Sequence, residues 1–141
     1  MRVQEIMTKE PACCTPEVDL QQIARKMVEQ NCGAIPIVDN YGGKHLLGIV
    51  TDRDIVCRTI ALGKDPMDLS ARDCMTTTVA TVKPNDTLET CCQVMEQYDV
   101  RRIPVVDGEG CCCGIVSQAD IARSGDERVT AEVVQDISCA A

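Results

Sequence analysis

Residues 48–55 read Gly-Ile-Val-Thr-Asp-Arg-Asp-Ile and return at 114–121 as Gly-Ile-Val-Ser-Gln-Ala-Asp-Ile. Upstream, Ala34-Ile35-Pro36-Ile37-Val38-Asp39 returns as Arg102-Ile103-Pro104-Val105-Val106-Asp107. Working outward, Met7-Thr8 matches Met75-Thr76, Pro16 matches Pro84, Leu20 matches Leu88 and Met27 matches Met95, all at an offset of 68. A turn two residues shorter in the second copy lowers the offset to 66 from Gly48 onward. Two copies are too few for a solenoid, so the chain reads as a closed pair of like halves.

Each copy has one internal order. A short extended piece (12–14; 79–82) meets a proline that bars helix, and Asp19 or Thr87 then offers a side-chain oxygen as helix cap. Asp19-Leu-Gln-Gln22 resembles a capping box. Leu20, Ile23, Ala24, Met27 and Val28 recur at i, i+3, i+4, i+7 and i+8, one apolar stripe on a helix; the copy carries Leu88, Cys91, Cys92 and Met95. The Ile-Pro runs are short β-branched strands, and their proline suits a strand edge. A turn (39–44; 107–110), a second strand (46–50; 112–116) and a helix opening near Thr51 or Ser117 complete the copy. The order is strand, helix, strand, strand, helix, twice. It divides the chain into a first repeat at 4–62, a linker at 63–70 with Gly and Pro as breakers, a second repeat at 71–125 and a tail at 126–141. In the tail Val129, Val133, Val134 and Ile137 fall at helical spacing, consistent with a short amphipathic helix or a frayed end.

Composition narrows the classes. With 141 residues, 45% hydrophobic and 26% charged, the chain suits one globular domain and argues against wholesale disorder or a membrane protein. Trp and Phe are absent and Tyr occurs twice, so the core is aliphatic and the aromatics that stack on single-stranded bases are missing. A net charge of −8, with −2 in residues 1–70 and −6 in 71–141, repels a phosphate backbone, so nucleic acid is not an expected partner. Small anions remain open where a few arginines converge. The opening MRVQEIMTKEP lacks the apolar core of a secretory signal, and no apolar run approaches the roughly 18 residues of a membrane span. The expectation is a cytoplasmic protein with no membrane contact.

Eleven cysteines are an odd number with no C-x-x-C spacing, which weakens both a disulfide framework and a metal site. The repeat offers a simpler reading. Cys91 and Cys92 stand where the first copy has Ile23 and Ala24, Cys74 where it has Ile6, Cys32 where the second has Val100, and Cys112-Cys113 where the first has Leu46-Leu47. They are expected to act as small hydrophobes. Cys111 and Cys139 have no apolar counterpart.

These residues, Ile6-Met7-Thr8 with 34–39 and 48–55, and Cys74-Met75-Thr76 with 100–107 and 114–121, resemble a tandem pair of cystathionine-β-synthase (CBS) domains, a Bateman module of the stand-alone bacterial type. The resemblance spans about residues 4–125. It implies an α+β fold of two β-α-β-β-α repeats related by a pseudo-twofold axis and packed through their sheets. It also implies a cleft between repeats that takes adenine nucleotides or related adenosyl compounds, and dimers joined head to head or head to tail.

The element richest in chemistry is Thr51-x-x-Asp54, repeated as Ser117-x-x-Asp120. A ribose offers two neighbouring hydroxyl donors and an ionised carboxylate two acceptors, so Asp54 or Asp120 can hold a ribose while Thr51 or Ser117 meets a phosphate or ribose oxygen. The same spacing is also a capping box, with the Asp folded back on its own backbone. Adenine needs an apolar slot, which Ala34, Ile35 and Pro36, or Ile103 and Pro104, could wall; as plain core these runs need no ligand. The resemblance places base-reading backbone at Lys9, Pro11 and Ala12, and at Thr77, Val79 and Ala80. Phosphate needs cations, and Arg53, Arg101 and Arg102 could supply them or pair with surface carboxylates. Gly33-Ala34 stands opposite Arg101-Arg102, and Ala119 opposite Arg53, so the two sites are expected to differ.

The function expected is that of a regulatory adenine-nucleotide-binding homodimer, with AMP or ATP as ligand, ADP, S-adenosylmethionine or NADH as alternatives, and a downstream protein reading the signal. A ligand-free dimerisation scaffold and a cysteine-based redox or zinc sensor are the rivals. Catalysis is not expected: the sole histidine, His45, falls in a turn, and no nucleophile–base set or metal-ligand motif recurs.

Overall fold

A computed structural model describes residues 1–124; the expected tail helix from Asp126, and Cys139, lie outside the described residues. In chain order the elements are α1 (Val3–Ile6), β1 (Thr8–Lys9), α2 (Leu20–Gln30), β2 (Ala34–Val38), β3 (Leu46–Thr51) and α3 (Asp52–Arg58). Two 3-10 turns, Ile60–Leu62 and Pro66–Asp68, lead to α4 (Ala71–Cys74), α5 (Leu88–Tyr98), β4 (Arg102–Val106), β5 (Cys112–Ser117) and α6 (Gln118–Ala122). The helix–strand–strand–helix core expected in each copy is present twice, in an α+β fold.

The chain forms two compact units, and they do not follow the sequential repeats. One comprises Pro11–Val79; the other comprises Met1–Glu10 with the chain from Ala80 onward. Residues 4–10 of the first repeat therefore fold with the second, and 71–79 fold with the first. Strand pairing explains the exchange. Thr8 and Lys9 lie antiparallel on Ile115 and Gly114, whereas Thr76 pairs with Ile49 through N–H···O bonds of 3.0 and 2.8 Å.

In the Pro11–Val79 unit the Asp19 carboxylate accepts the Gln22 N–H at 2.8 Å and starts α2, which Asn31 ends in left-handed geometry at φ 49°. The helix buries Leu20, Ile23 and Met27 with Cys14, Ile35, Ile37, Val50, Ala71 and Cys74. β2 and β3 pair antiparallel with Ile35 opposite Val50 and Pro36 opposite Ile49. The extended piece expected at 12–14 is one parallel bridge, Cys14 to Ile37. Pro36 tolerates this position because its carbonyl accepts Cys14 N–H at 3.1 Å while its missing N–H is not called on. The linker is ordered by Gly63 at φ 75° and by Asp65, which caps the turn at Pro66–Asp68.

The other unit repeats the plan. Thr87 accepts Thr90 N–H at 3.1 Å to start α5, and Asp99 ends it at φ 52°. Leu88, Cys91, Cys92 and Met95 pack with Val3, Val82, Ile103, Val105, Val116 and Ile121. The sheet order is β1-β5-β4, with Ile103 opposite Val116 and Pro104 opposite Ile115. The extended piece at 79–82 is again one parallel bridge, Val82 to Val105. Cys74, Cys91, Cys92 and Cys112 are buried as expected of small hydrophobes, whereas Cys32 is exposed because it follows the α2 cap and falls outside the packed face.

Candidate functional site

Strand alternation sorts the expected site residues first. Ile35 and Ile103 are fully buried and belong to the two cores. Cross-strand partners share a face, so Ala34, Pro36, Ile49 and Thr51 form the opposite face of one hairpin, and Arg102, Pro104, Ile115 and Ser117 that of the other. The two faces match at the proline and isoleucine, keep a hydroxyl at Thr51 and Ser117, and differ in character at one place: Arg102 stands where Ala34 stands. The slot expected from the Ile-Pro runs is thus narrowed to Ala34, Pro36 and Pro104, themselves buried, because Ile35 and Ile103 point the other way.

Thr51 and Ser117 end β3 and β5 in extended backbone and cap the helices that follow. Asp54 N–H donates to Thr51 Oγ1 at 3.1 Å, and Asp54 Oδ2 accepts Thr51 N–H at 2.9 Å. Asp120 N–H donates to Ser117 Oγ at 3.1 Å, and Asp120 Oδ2 accepts Ser117 N–H at 2.8 Å. Both motifs therefore form complete capping boxes. The cap engages one carboxylate oxygen only. Oδ1 of each aspartate points elsewhere, and each Asp side chain is largely covered, at 14% and 11% exposure. A carboxylate offers about four lone-pair sites, so the cap and a ligand hydroxyl can be served together.

What meets Oδ1 differs between the units. Asp54 Oδ1 faces the Thr76 hydroxyl at 3.5 Å and Arg58 Nε at 3.8 Å. Arg58 Nη1 also donates to the carbonyls of Cys74 at 3.4 Å and Met75 at 3.1 Å, which ties the end of α3 to the segment entering Thr76. Asp120 Oδ1 instead accepts Arg123 Nη2 at 2.8 Å. A cavity of about 420 Å³ lies there, bordered by Met1, Glu5, Ile6, Asp120, Arg123 and Ser124. Gly48 and Gly114 admit the crossing segments: a Cβ at Gly48 would sit 2.6 Å from Thr76 O, and one at Gly114 2.5 Å from Met7 Sδ.

The remaining expected residues divide between the units. Pro11, Ala12, Thr77 and Val79 fold with Thr51, Arg53 and Asp54; Lys9, Ala80, Arg101 and Arg102 fold with Ser117 and Asp120. Lys9 pairs with Gly114, Arg101 O accepts Gln118 N–H at 2.8 Å, and Arg102 lies opposite Ser117. Arg53 and Arg101 are exposed. Sequence reasoning missed Thr76, Arg58 and Arg123. The last two were available, since i+4 and i+3 from an aspartate are the helix spacings at which a cation meets it.

A family model described as the CBS domain matches residues 3–58 and again 71–127. The chain belongs to the CBS-domain family. As a tandem CBS pair it is a regulatory protein by family. It is 38% identical over 120 residues to the CBS domain-containing protein YhcV of Bacillus subtilis, covering 85% of this chain and 82% of that one. It is 34% identical over 134 residues to Hypoxic response protein 1 of Mycobacterium tuberculosis, covering 95% and 92%. Among solved structures, Hypoxic Response Protein I with two coordinated zinc ions superposes at TM-score 0.78 and 35% identity, over 88% of this chain and 98% of that one. The CBS domain pair of protein MJ0100, in complex with 5'-methylthioadenosine and S-adenosyl-L-methionine, superposes at 0.79 and 26% identity, over 91% and 98%. No helix among the described residues is long and apolar enough to cross a membrane, and no three His, Cys, Asp or Glu side chains among them gather as a metal site.

Proposed function

We propose that this CBS pair is a sensor of adenine nucleotides, AMP or ATP, in which Asp54 and Asp120 each accept the two hydroxyls of a ribose. The observation that carries the reading is the duplicated carboxylate whose Oδ2 caps its own helix while Oδ1 is directed away from the cap. Thr51 and Ser117 accept at the cap and keep an O–H to donate to the ligand. The proline faces, with Pro36 beside Ile49 and Pro104 beside Ile115, offer apolar wall for the base. Arg53, Arg101 and Arg102 supply charge for phosphate. The adenosyl ligands of the MJ0100 pair support this class of ligand. The protein works as a homodimer, and a downstream protein reads a change of arrangement that the ligand stabilises by its unequal affinity for two states.

The test is calorimetry with AMP, ADP, ATP, S-adenosylmethionine and NADH on the wild type, Asp54→Asn and Asp120→Asn. Asparagine keeps an oxygen for the cap, so the helices survive while the ionised acceptor is lost. Binding abolished in at least one variant supports the reading; unchanged affinity in both refutes it.

A further inference from the structure

We propose that Arg123 is a displaceable counter-ion that makes the Asp120 site selective for adenosyl compounds carrying an anionic 5'-substituent. The proposal rests on the ribose reading above and names the ligand class of one of its two sites. Arg123 is not part of the repeat: the position 66 residues earlier is Cys57, and the place of Arg58 is taken by Ser124. Its guanidinium holds Asp120 Oδ1 at 2.8 Å, on the atom a ribose hydroxyl would need, yet the Arg123 side chain is 73% exposed against 11% for Asp120. An exposed arginine on a covered carboxylate can leave without unpacking anything, since a surface ion pair is worth little. Arg58 differs in kind. It stands 3.8 Å from Asp54 and is anchored on two backbone carbonyls, so departure would strand the Cys74 and Met75 acceptors.

Of Arg101, Arg102 and Arg123, only Arg123 both borders the cavity and holds Asp120, so the choice between anionic and uncharged ligands falls chiefly on it. The cavity of about 420 Å³ is of the size that takes small ligands, and its border carries two acids, Glu5 and Asp120, against Arg123 as its cation. With Arg123 on Asp120 the site is neutralised but blocked. A ligand phosphate draws the guanidinium to itself in a bidentate contact, and the freed Oδ1 receives the ribose. An uncharged adenosyl compound offers no such exchange and must displace Arg123 unaided. Without Arg123 the border keeps its two acids and no side-chain cation, and favours neutral or cationic adenosyl compounds.

The experiment is a calorimetric comparison of AMP and adenosine in an Asp54→Asn background, which isolates the Asp120 site, with Arg123→Gln, Arg123→Lys and Asp120→Asn added singly. Folding is checked by circular dichroism. The expected result is that Arg123→Gln weakens AMP about tenfold while adenosine binds as well or better, the loss of one charge-assisted contact. Arg123→Lys keeps most of the preference for AMP, and Asp120→Asn abolishes both ligands. Equal weakening of AMP and adenosine by Arg123→Gln overturns the proposal by making Arg123 a general support. An unchanged AMP:adenosine ratio overturns it too, and in both cases the ribose reading stands. Binding that survives Asp120→Asn in this background overturns both together; no binding in the background protein overturns the proposal for the Asp120 site, while the ribose reading stands at Asp54.

Discussion

The two units of this molecule share one plan and a short set of matched residues, and they differ around the aspartate that each carries. The Pro11–Val79 unit buries Ile23 in its core, with Ala24 half-buried beside it, and braces its candidate site with an anchored arginine, Arg58. The other unit packs Cys91 and Cys92 at the same positions and leaves its site under an exposed arginine, Arg123. Duplication preserved what the fold requires, the caps, the prolines and the crossing glycines, while the residues around each Oδ1 diverged. The lesson is that the repeat sets the frame of each unit, and on the proposed reading Arg58 and Arg123, which have no counterpart across the repeat, set the preference of each site.

The largest effect is expected at high pH, and both units share it. Burial pushes the Cys91 thiol from its ordinary 9.0 up to about 12, and that of Cys74 up to about 11. The folded chain holds both as neutral thiols, whereas the unfolded chain ionises them from about pH 9, so rising pH favours unfolding. Stability present below pH 9 drains away up to about 11 through Cys74 and up to about 12 through Cys91. Urea midpoints across this range should fall less steeply in Cys91→Ala; an unaltered slope would place the sensitivity elsewhere.

Next in size are the equivalent core positions themselves. Ile23→Ala should cost about 3 kcal/mol and Cys91→Ala about 1 kcal/mol by chemical denaturation, because both are fully buried but the isoleucine loses more apolar volume. Equal costs would mean the cysteine helix is packed by something other than volume. The crossing glycines come third. Gly48→Ala meets the Thr76 carbonyl and should cost about 2 kcal/mol, whereas Gly114→Ala meets first the movable Met7 Sδ and should cost about 1 kcal/mol. The reverse order of midpoints would contradict the assignment of the crossing segments. Smallest, and alike in both units, are the helix caps: Asp19→Ala and Thr87→Ala should each cost about 1 kcal/mol. A clear inequality would show that one helix is held by its cap and the other by its core.

Much of this frame was legible in the sequence. The stripe from Leu20 to Met27, the paired Ile-Pro strands and the Thr51 and Ser117 helix starts all follow from periodicity and capping chemistry. The exchange of residues 1–10 and 71–79 between the units was not legible, because an offset of 68 relates two copies without saying which copy's Met-Thr crosses which strand. α1 and α4, four residues each, are too short to show a helical period. At the site, Thr51-x-x-Asp54 posed a choice between cap and ligand that spacing could not resolve; the structure shows the cap, on Oδ2, and leaves Oδ1 for the proposed ligand. Alternation along β2 and β4 did hold the separation of Ile35 from Pro36, and it emerges once the core face is fixed.

A crystal structure of the protein with AMP bears on both aspartates at once. Ribose hydroxyls within hydrogen-bond distance of Oδ1 of Asp54 or Asp120, with the Thr51 or Ser117 N–H still on Oδ2, are the expected result. A nucleotide bound elsewhere, with both Oδ1 atoms left to Arg58 and Arg123, would contradict it.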